Sequence, residues 1–137
     1  MSTQGGAAIP AAVIGATGYV GGELLRLLAG HPEVADLRAM SRSRAGTSWS
    51  EVHPSLVNAQ PDGATFLTSD PAAAGEWADV VFLALPHGES QRVLEAVEAG
   101  APRLVVDTAS DFRITDRAIA EAVYGPHARP DALGEFA

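Results

Sequence analysis

Four short segments of this chain carry residue types suited to holding an anionic ligand. The first is Gly15, Ala16, Thr17, Gly18, Tyr19, Val20 and Gly21, with a glycine at every third position. Glycines so placed permit a tight turn, let backbone amides approach phosphate oxygens, and let a following helix pack closely on the preceding strand. A helix opening here aims free N–H groups and a partial positive charge at whatever sits in the turn. The expected occupant is a dinucleotide pyrophosphate, and the alternative is a plain strand-to-helix turn. Two residues separate each pair of glycines, which departs from the commonest fingerprint.

The second segment, Ser41-Arg42-Ser43-Arg44, lies about twenty residues on. An NAD site places a carboxylate there to accept from the ribose 2′-OH. A carboxylate would repel a 2′-phosphate, whereas the Ser41 hydroxyl and the Arg42 and Arg44 guanidinium groups can hold one by charge-assisted hydrogen bonds. NADP is therefore expected over NAD, against the alternative of a solvated arginine pair on a loop. The third segment is Ala84-Leu85-Pro86-His87-Gly88. Pro86 and Gly88 predict a rigid turn that brings backbone against a ligand, and His87 either faces the cleft or sits exposed on a turn. The fourth, residues 107–113, crowds Asp107, Thr108, Ser110, Asp111 and Arg113 into seven positions. Arg113 can clamp a phosphate or carboxylate there, or the loop can be stapled by an Asp–Arg pair of its own.

The elements that must position these segments alternate in type. Apolar runs at 11–14, 37–40, 65–67, 80–85 and 104–106 read as strands, the longest and clearest being 80–85. Helices are expected from Tyr19 to near Gly30, over 71–76, over 90–99 and over 114–123. Residues 42–64 read as mostly loop, and nothing regular is expected after Tyr124. Strand and helix in alternation give an α/β fold, a Rossmann-like, doubly wound and mostly parallel sheet, with residues 1–137 as one domain.

Composition narrows the function classes. Of 137 residues, 47% are hydrophobic, which suits a globular core. The net charge is −8, and the nine basic residues are all arginine. Such a chain does not draw nucleic acid or an anionic membrane surface over long range, so neither is an expected partner. There is no cysteine, which excludes a disulfide, a thiolate metal site and a cysteine nucleophile within the chain. The four histidines are scattered without ligand spacing, and no metal is expected. Residues 1–8 lack a basic residue and an apolar run, so no signal peptide is expected, no spanning segment is seen, and the default compartment is the cytoplasm. No serine is expected beside a convincing base and an orienting acid.

Taken together, the four segments resemble the N-acetyl-γ-glutamyl-phosphate reductase family. The likeness runs from about Ile9 onward, through the 15–21 loop into Gly22-Glu23-Leu24-Leu25-Arg26-Leu27-Leu28, His31-Pro32, the 84–88 turn, the 107–113 segment and Val123-Tyr124-Gly125. The related aspartate-semialdehyde dehydrogenases share the glycine loop and the arginine after the fifth strand, while Pro86-His87-Gly88 and Asp111-Phe112-Arg113 look more like the acetylglutamyl-phosphate enzymes. The resemblance implies NADPH-dependent reduction of a small-molecule acyl phosphate to an aldehyde through a thioester on a cysteine, in arginine biosynthesis. It implies cofactor contacts from Gly15 to Gly21, Ser41, Arg42, Arg44, Leu85 and Pro86, substrate contacts from Ser110 and Arg113, and a homo-oligomer in the full-length enzyme. The family's catalytic cysteine belongs to a Pro-Gly-Cys segment absent here, so no catalytic residue is assigned and an N-terminal fragment without its substrate domain is expected. The alternatives are a reductase of a related acyl phosphate, aminoadipyl or aspartyl, and an NADP-sensing module without chemistry.

Overall fold

The computed structural model describes residues 8–136. Residues 1–7, which make up most of the stretch in which no signal peptide is expected, lie outside the described residues.

Five segments of the chain form parallel strands. These are β1 (Ile9–Ile14), β2 (Val34–Ser41), β3 (Leu67–Thr68), β4 (Val80–Leu83) and β5 (Leu104–Asp107). Their order across the sheet is β3-β2-β1-β4-β5, so the winding reverses between β1 and β4. Side chains on a strand point alternately to opposite faces. Ala12, Ile14, Met40, Val81 and Leu83 accordingly pack with Ala74, Ala78 and Val97 of helices α3 (Pro71–Trp77) and α4 (Ser90–Ala99) and the residue after α3. Val13 and Ala39 point the other way and pack with Leu25 of α1 (Tyr19–Ala29) and with Trp49, Leu56 and Phe66. Both faces are covered, which is why β1 is apolar at successive positions rather than alternating. The fold is the doubly wound, Rossmann-like α/β sheet expected.

Several boundaries differ from those read in the sequence. The 80–85 run leaves the sheet after Leu83: the Ala84 N–H still reaches the Ile14 carbonyl at 2.8 Å, but Pro86 has no N–H to continue the ladder. β2 starts at Val34, because pairing with Ile9 and Pro10 extends it through residues too exposed to leave an apolar signature. The 42–64 loop contains a one-turn helix α2 (Trp49–Val52) and a 3-10 turn (Pro54–Leu56), anchored by buried Trp49 and Leu56. The last helix, α5 (Arg117–Tyr124), begins three residues later than 114, because the Asp116 carboxylate accepts the Ile119 N–H at 3.0 Å and caps it. After α5 a 3-10 turn (Pro130–Ala132) buries Ala132 beside Leu94 and Phe112, and Phe136 stacks on Phe112 at 4.5 Å. Among the described residues, no helix is long and apolar enough to cross a membrane.

Candidate functional site

All five strands run the same way, so their C-terminal ends share one edge of the sheet. In register along it stand Met40, Ile14, Leu83 and Asp107. The segments singled out in the sequence each begin where one of these strands stops. Open parallel sheets bind ligands at this edge, where the winding reverses.

The glycine loop sits at that reversal, and its glycines do different jobs. Gly15 has φ +81°, and a Cβ there would lie 2.4 Å from the Ala84 carbonyl oxygen, so both backbone conformation and close packing require glycine. At Gly21 a Cβ would lie 2.6 Å from Ala16 Cα and from the Gly15 carbonyl oxygen, so glycine lets helix α1 approach the turn. Gly18 is unlike both. Its φ is −79°, its ψ is 177°, and a Cβ would meet only the Gly15 carbonyl oxygen, at 4.0 Å. Neither strain nor packing against the protein accounts for glycine at 18. It is the N-cap of α1, with no side-chain cap, and the first turn carries no acidic residue. The first amides of α1 lie too early for intrahelical partners and suit an anion.

A cleft of about 440 Å³ opens over this turn. Gly15, Thr17, Gly18, Tyr19, Val20, Ser41, Arg42, Leu85 and Pro86 line it, joined by Ser43 and Ala84 of the same segments and by Ser69, which sequence reasoning did not single out. Ser69 enters because its N–H bonds the Ser41 carbonyl at 3.2 Å, a pairing beyond β3 with no local signature. Ala16 lies fully buried beneath the loop, Gly21 is buried against it, and Arg44 is exposed without lining the cleft.

The 41–44 segment is organised by its first residue. Ser41 is buried, and its Oγ accepts the N–H groups of Ser43 at 3.2 Å and Arg44 at 3.1 Å, leaving the hydroxyl hydrogen to donate. Arg42 is solvent-exposed and donates to Glu89 Oε2 at 2.7 Å, bridging from the end of β2 to the start of α4. An anion at this end of the cleft would compete with Glu89 for that guanidinium.

The 107–113 loop resolves two readings left open by the sequence. No Asp–Arg staple forms. Arg113 donates instead to the Ala109 carbonyl at 3.2 Å and the Thr108 carbonyl at 3.4 Å, and no carboxylate among the described residues pairs with it. The staple is buried Asp111, whose carboxylate accepts the Gly88 N–H at 2.8 Å and the Gln91 N–H at 3.1 Å, fastening this loop to the 84–90 turn. His87 does not line the cleft. Its Nδ1 lies 2.8 Å from Asp111 Oδ1 and 2.7 Å from Ser110 Oγ, and its ring packs on Tyr124 at 4.3 Å. Ser110 thus stands beside a histidine and an acid. Both partners engage the same ring nitrogen, however, and a nucleophilic triad needs serine and acid on opposite nitrogens. Asp107, ending β5, accepts from Ser90 Oγ at 2.7 Å and the Ala109 N–H at 3.2 Å. Burial pushes its carboxyl above the usual range, with the hydrogen bonds from Ser90 and Ala109 opposing.

A larger groove of about 680 Å³ follows the outer edge of β5, reaching Asp107 and Arg113 at one end and Glu98 at the other. It lacks the glycine turn and the uncapped helix end, so the smaller cleft is the better candidate for a phosphate-bearing ligand.

Residues 10–133 match the family described as semialdehyde dehydrogenase, NAD binding domain. The chain is 44% identical over 124 residues to N-acetyl-gamma-glutamyl-phosphate reductase of Rubrobacter xylanophilus, covering 90% of this chain and 35% of that protein. It is 41% identical over 128 residues to a putative LysW-L-2-aminoadipate/LysW-L-glutamate phosphate reductase of Pyrococcus furiosus, covering 93% and 36%. The chain thus spans about a third of the length of the curated relatives it matches. Among solved structures it is similar to aspartate semialdehyde dehydrogenase with NADP from Candida albicans, at TM-score 0.63 and 29% identity, covering 78% of this chain and 31% of that one.

Proposed function

This chain belongs to the semialdehyde dehydrogenase NAD-binding domain family, and from that premise we propose that it is the NADPH-binding part of a reductase that converts an acyl phosphate to an aldehyde. The observation that carries the reading is Gly18, a glycine that neither backbone strain nor packing requires, at an uncapped helix N-terminus in the cleft floor. A ligand backed against that turn is what would require it.

The order of groups along the edge suits an extended dinucleotide. The 2′-phosphate lies at the end of β2, where Arg42, Arg44 and the Ser41 hydroxyl hydrogen are the donors. The pyrophosphate crosses the amides of Thr17 to Gly21 above Ala16, and Leu85 and Pro86 form an apolar wall toward the nicotinamide end. The bound cofactor supplies hydride. Ser110 and Arg113, one strand further along, are assigned to the acyl-phosphate substrate, and Arg113 is the better founded because no acid among the described residues pairs with it. Asp111 and His87 hold that loop in place. The nucleophile is not in this chain, which contains no cysteine. We therefore assign catalysis of acyl transfer to a thiolate outside it, since a thiolate is nucleophilic at accessible pH and its thioester accepts hydride.

The substrate proposed is N-acetyl-glutamyl 5-phosphate, a step of arginine biosynthesis, on the strength of the 44% identity to the Rubrobacter xylanophilus reductase. The 41% identity to the Pyrococcus furiosus protein favours an aminoadipyl or glutamyl phosphate on a carrier as a second reading. A cytoplasmic location and a homo-oligomeric full-length enzyme rest on the family resemblance. The test joins this chain in frame to the remaining two-thirds of the Rubrobacter xylanophilus relative. The 137-residue chain alone should not oxidise NADPH with N-acetyl-glutamyl 5-phosphate, the fusion should, and Gly18→Val in the fusion should remove activity. Turnover by the short chain, or a folded but silent fusion, would overturn the proposal.

A further inference from the structure

Beneath the glycine turn, a residue from the 42–64 loop reaches the turn's backbone. His53 Nε2 lies 2.8 Å from the Ala16 carbonyl oxygen, thirty-seven residues away in sequence. The ring nitrogen must be the donor, because a carbonyl only accepts. The ring also lies flat enough against helix α1 that a Cβ on Gly22 would sit 2.6 Å from His53 Cε1 and Nδ1. Gly22 has ordinary helical surroundings, so the histidine accounts for a glycine there.

Neither the backbone nor the ring of His53 is loosely held. Its N–H donates to the Trp49 carbonyl at 2.8 Å, its own carbonyl accepts the Leu56 N–H at 2.9 Å, and Pro54 restricts its backbone to extended conformations. Phe66 meets the ring edge-on at 6.2 Å. Buried Trp49, Leu56 and Phe66 thus fix the imidazole before it touches the turn.

The consequence lies in the geometry of one peptide bond. A trans peptide is planar, and its C=O and N–H point to opposite sides. Pinning the Ala16 carbonyl toward His53 turns the Thr17 N–H away from it, and Thr17 lines the cleft next to Gly18. Ala16 N–H is itself bonded to the Met40 carbonyl at 3.1 Å, so both sides of the residue are fixed. We propose that His53 is a positioning residue for the cofactor: it holds the Ala16–Thr17 peptide so that the Thr17 amide is presented to the pyrophosphate. The inference rests on the NADPH reading of the cleft. It gives the 42–64 loop a function that its sequence did not suggest.

The test titrates the 137-residue chain with NADPH and with adenosine 2′-monophosphate, which lacks the pyrophosphate. His53→Leu keeps bulk and loses the donor, and should weaken NADPH about tenfold, the worth of one hydrogen bond, while leaving the monophosphate within about twofold. His53→Gln, whose amide can donate from a similar position, should recover most of the loss. Gly22→Ala should weaken NADPH by a similar factor by displacing the ring, yet cost less than about twofold when His53 is already Ala, since the clash is gone and coupled pairs do not add. In ¹⁵N spectra of the wild type, the Nε2 of His53 should carry the proton, and the Thr17 amide should shift in His53→Leu. Equal NADPH affinity in wild type and His53→Leu, or loss of both ligands together in every variant, would overturn the positioning role. If the wild-type chain binds the monophosphate but not NADPH, or neither, the cofactor reading falls and takes this inference with it.

Discussion

Gly18 and Gly15 should respond to substitution in opposite ways, and the contrast follows from what surrounds each. At Gly18 the backbone is already in a region open to any residue, and an added Cβ finds only one protein atom, at 4.0 Å. Gly18→Val loses some N-cap preference, about 0.5–1 kcal/mol, which for a domain of this size lowers Tm by roughly 2–6 °C. At Gly15 the Cβ of even Gly15→Ala would lie 2.4 Å from the Ala84 carbonyl oxygen and 2.9 Å from Leu85 Cδ2, at φ +81°. The left-handed conformation alone costs about 1–2 kcal/mol, and parting β1 from β4 adds to it, so the chain should lose about 3 kcal/mol or more. The effect on NADPH is reversed in kind. A valine at 18 covers amides that would each give the pyrophosphate about 1.5–3 kcal/mol. Losing two of them weakens binding by roughly 10² to 10⁴. Thermal melts and calorimetry on both variants give the two axes. A Gly18→Val chain that melts near wild type and binds NADPH within twofold of it would refute the reasoning, as would one that collapses like Gly15→Ala.

The double change Arg42→Ala with Arg44→Ala should weaken NADPH by roughly tenfold or more while leaving NADH unchanged, since only the 2′-phosphate distinguishes them; titration of both cofactors checks it. Glu89→Gln releases Arg42 from its 2.7 Å pair and removes a negative charge from the cleft mouth. It should tighten NADPH by about two- to fivefold, an effect kept modest by the exposure of the pair and weakened further in high salt. Asp107→Asn should stabilise the fold at neutral pH. Burial raises the native-state pKa of this carboxyl above its unfolded value, so the folded state holds the proton more tightly. Wild-type stability from this group is therefore gained as pH falls through the raised native pKa, and the advantage of the Asn variant should shrink over that range in denaturant melts.

The parts of the fold that were legible in the sequence are those where one residue type has one physical use. The run Ala11 to Ile14 ending at Gly15 specified a buried strand and a turn, and the glycines at 15, 18 and 21 specified a helix start among them, at Tyr19. Arginines at 42 and 44, where an NAD site would place a carboxylate, directed attention to 41–44, and the crowding of charges and hydroxyls over 107–113 directed it to Arg113. What remained hidden was decided by contacts distant in sequence. Trp49 and Leu56 anchor two single-turn elements too short for any periodicity to mark. His53 looked like one scattered histidine because its partner is a backbone carbonyl thirty-seven residues earlier. Arg113 and Asp111 were adjacent enough to suggest a pair, but the acid is drawn to the amides of Gly88 and Gln91. In the tail, Phe136 is held by stacking on Phe112, which no local pattern announces.

The central claim is that this cleft is built for a dinucleotide with a 2′-phosphate. Calorimetric titration of the 137-residue chain with NADPH and NADH at the same ionic strength tests it most directly. The account predicts one site per chain, with NADPH bound at least tenfold more tightly than NADH, the difference of about 1.4 kcal/mol arising at the end of β2. Equal affinity for the two cofactors, or no binding of either by the folded chain, would contradict it.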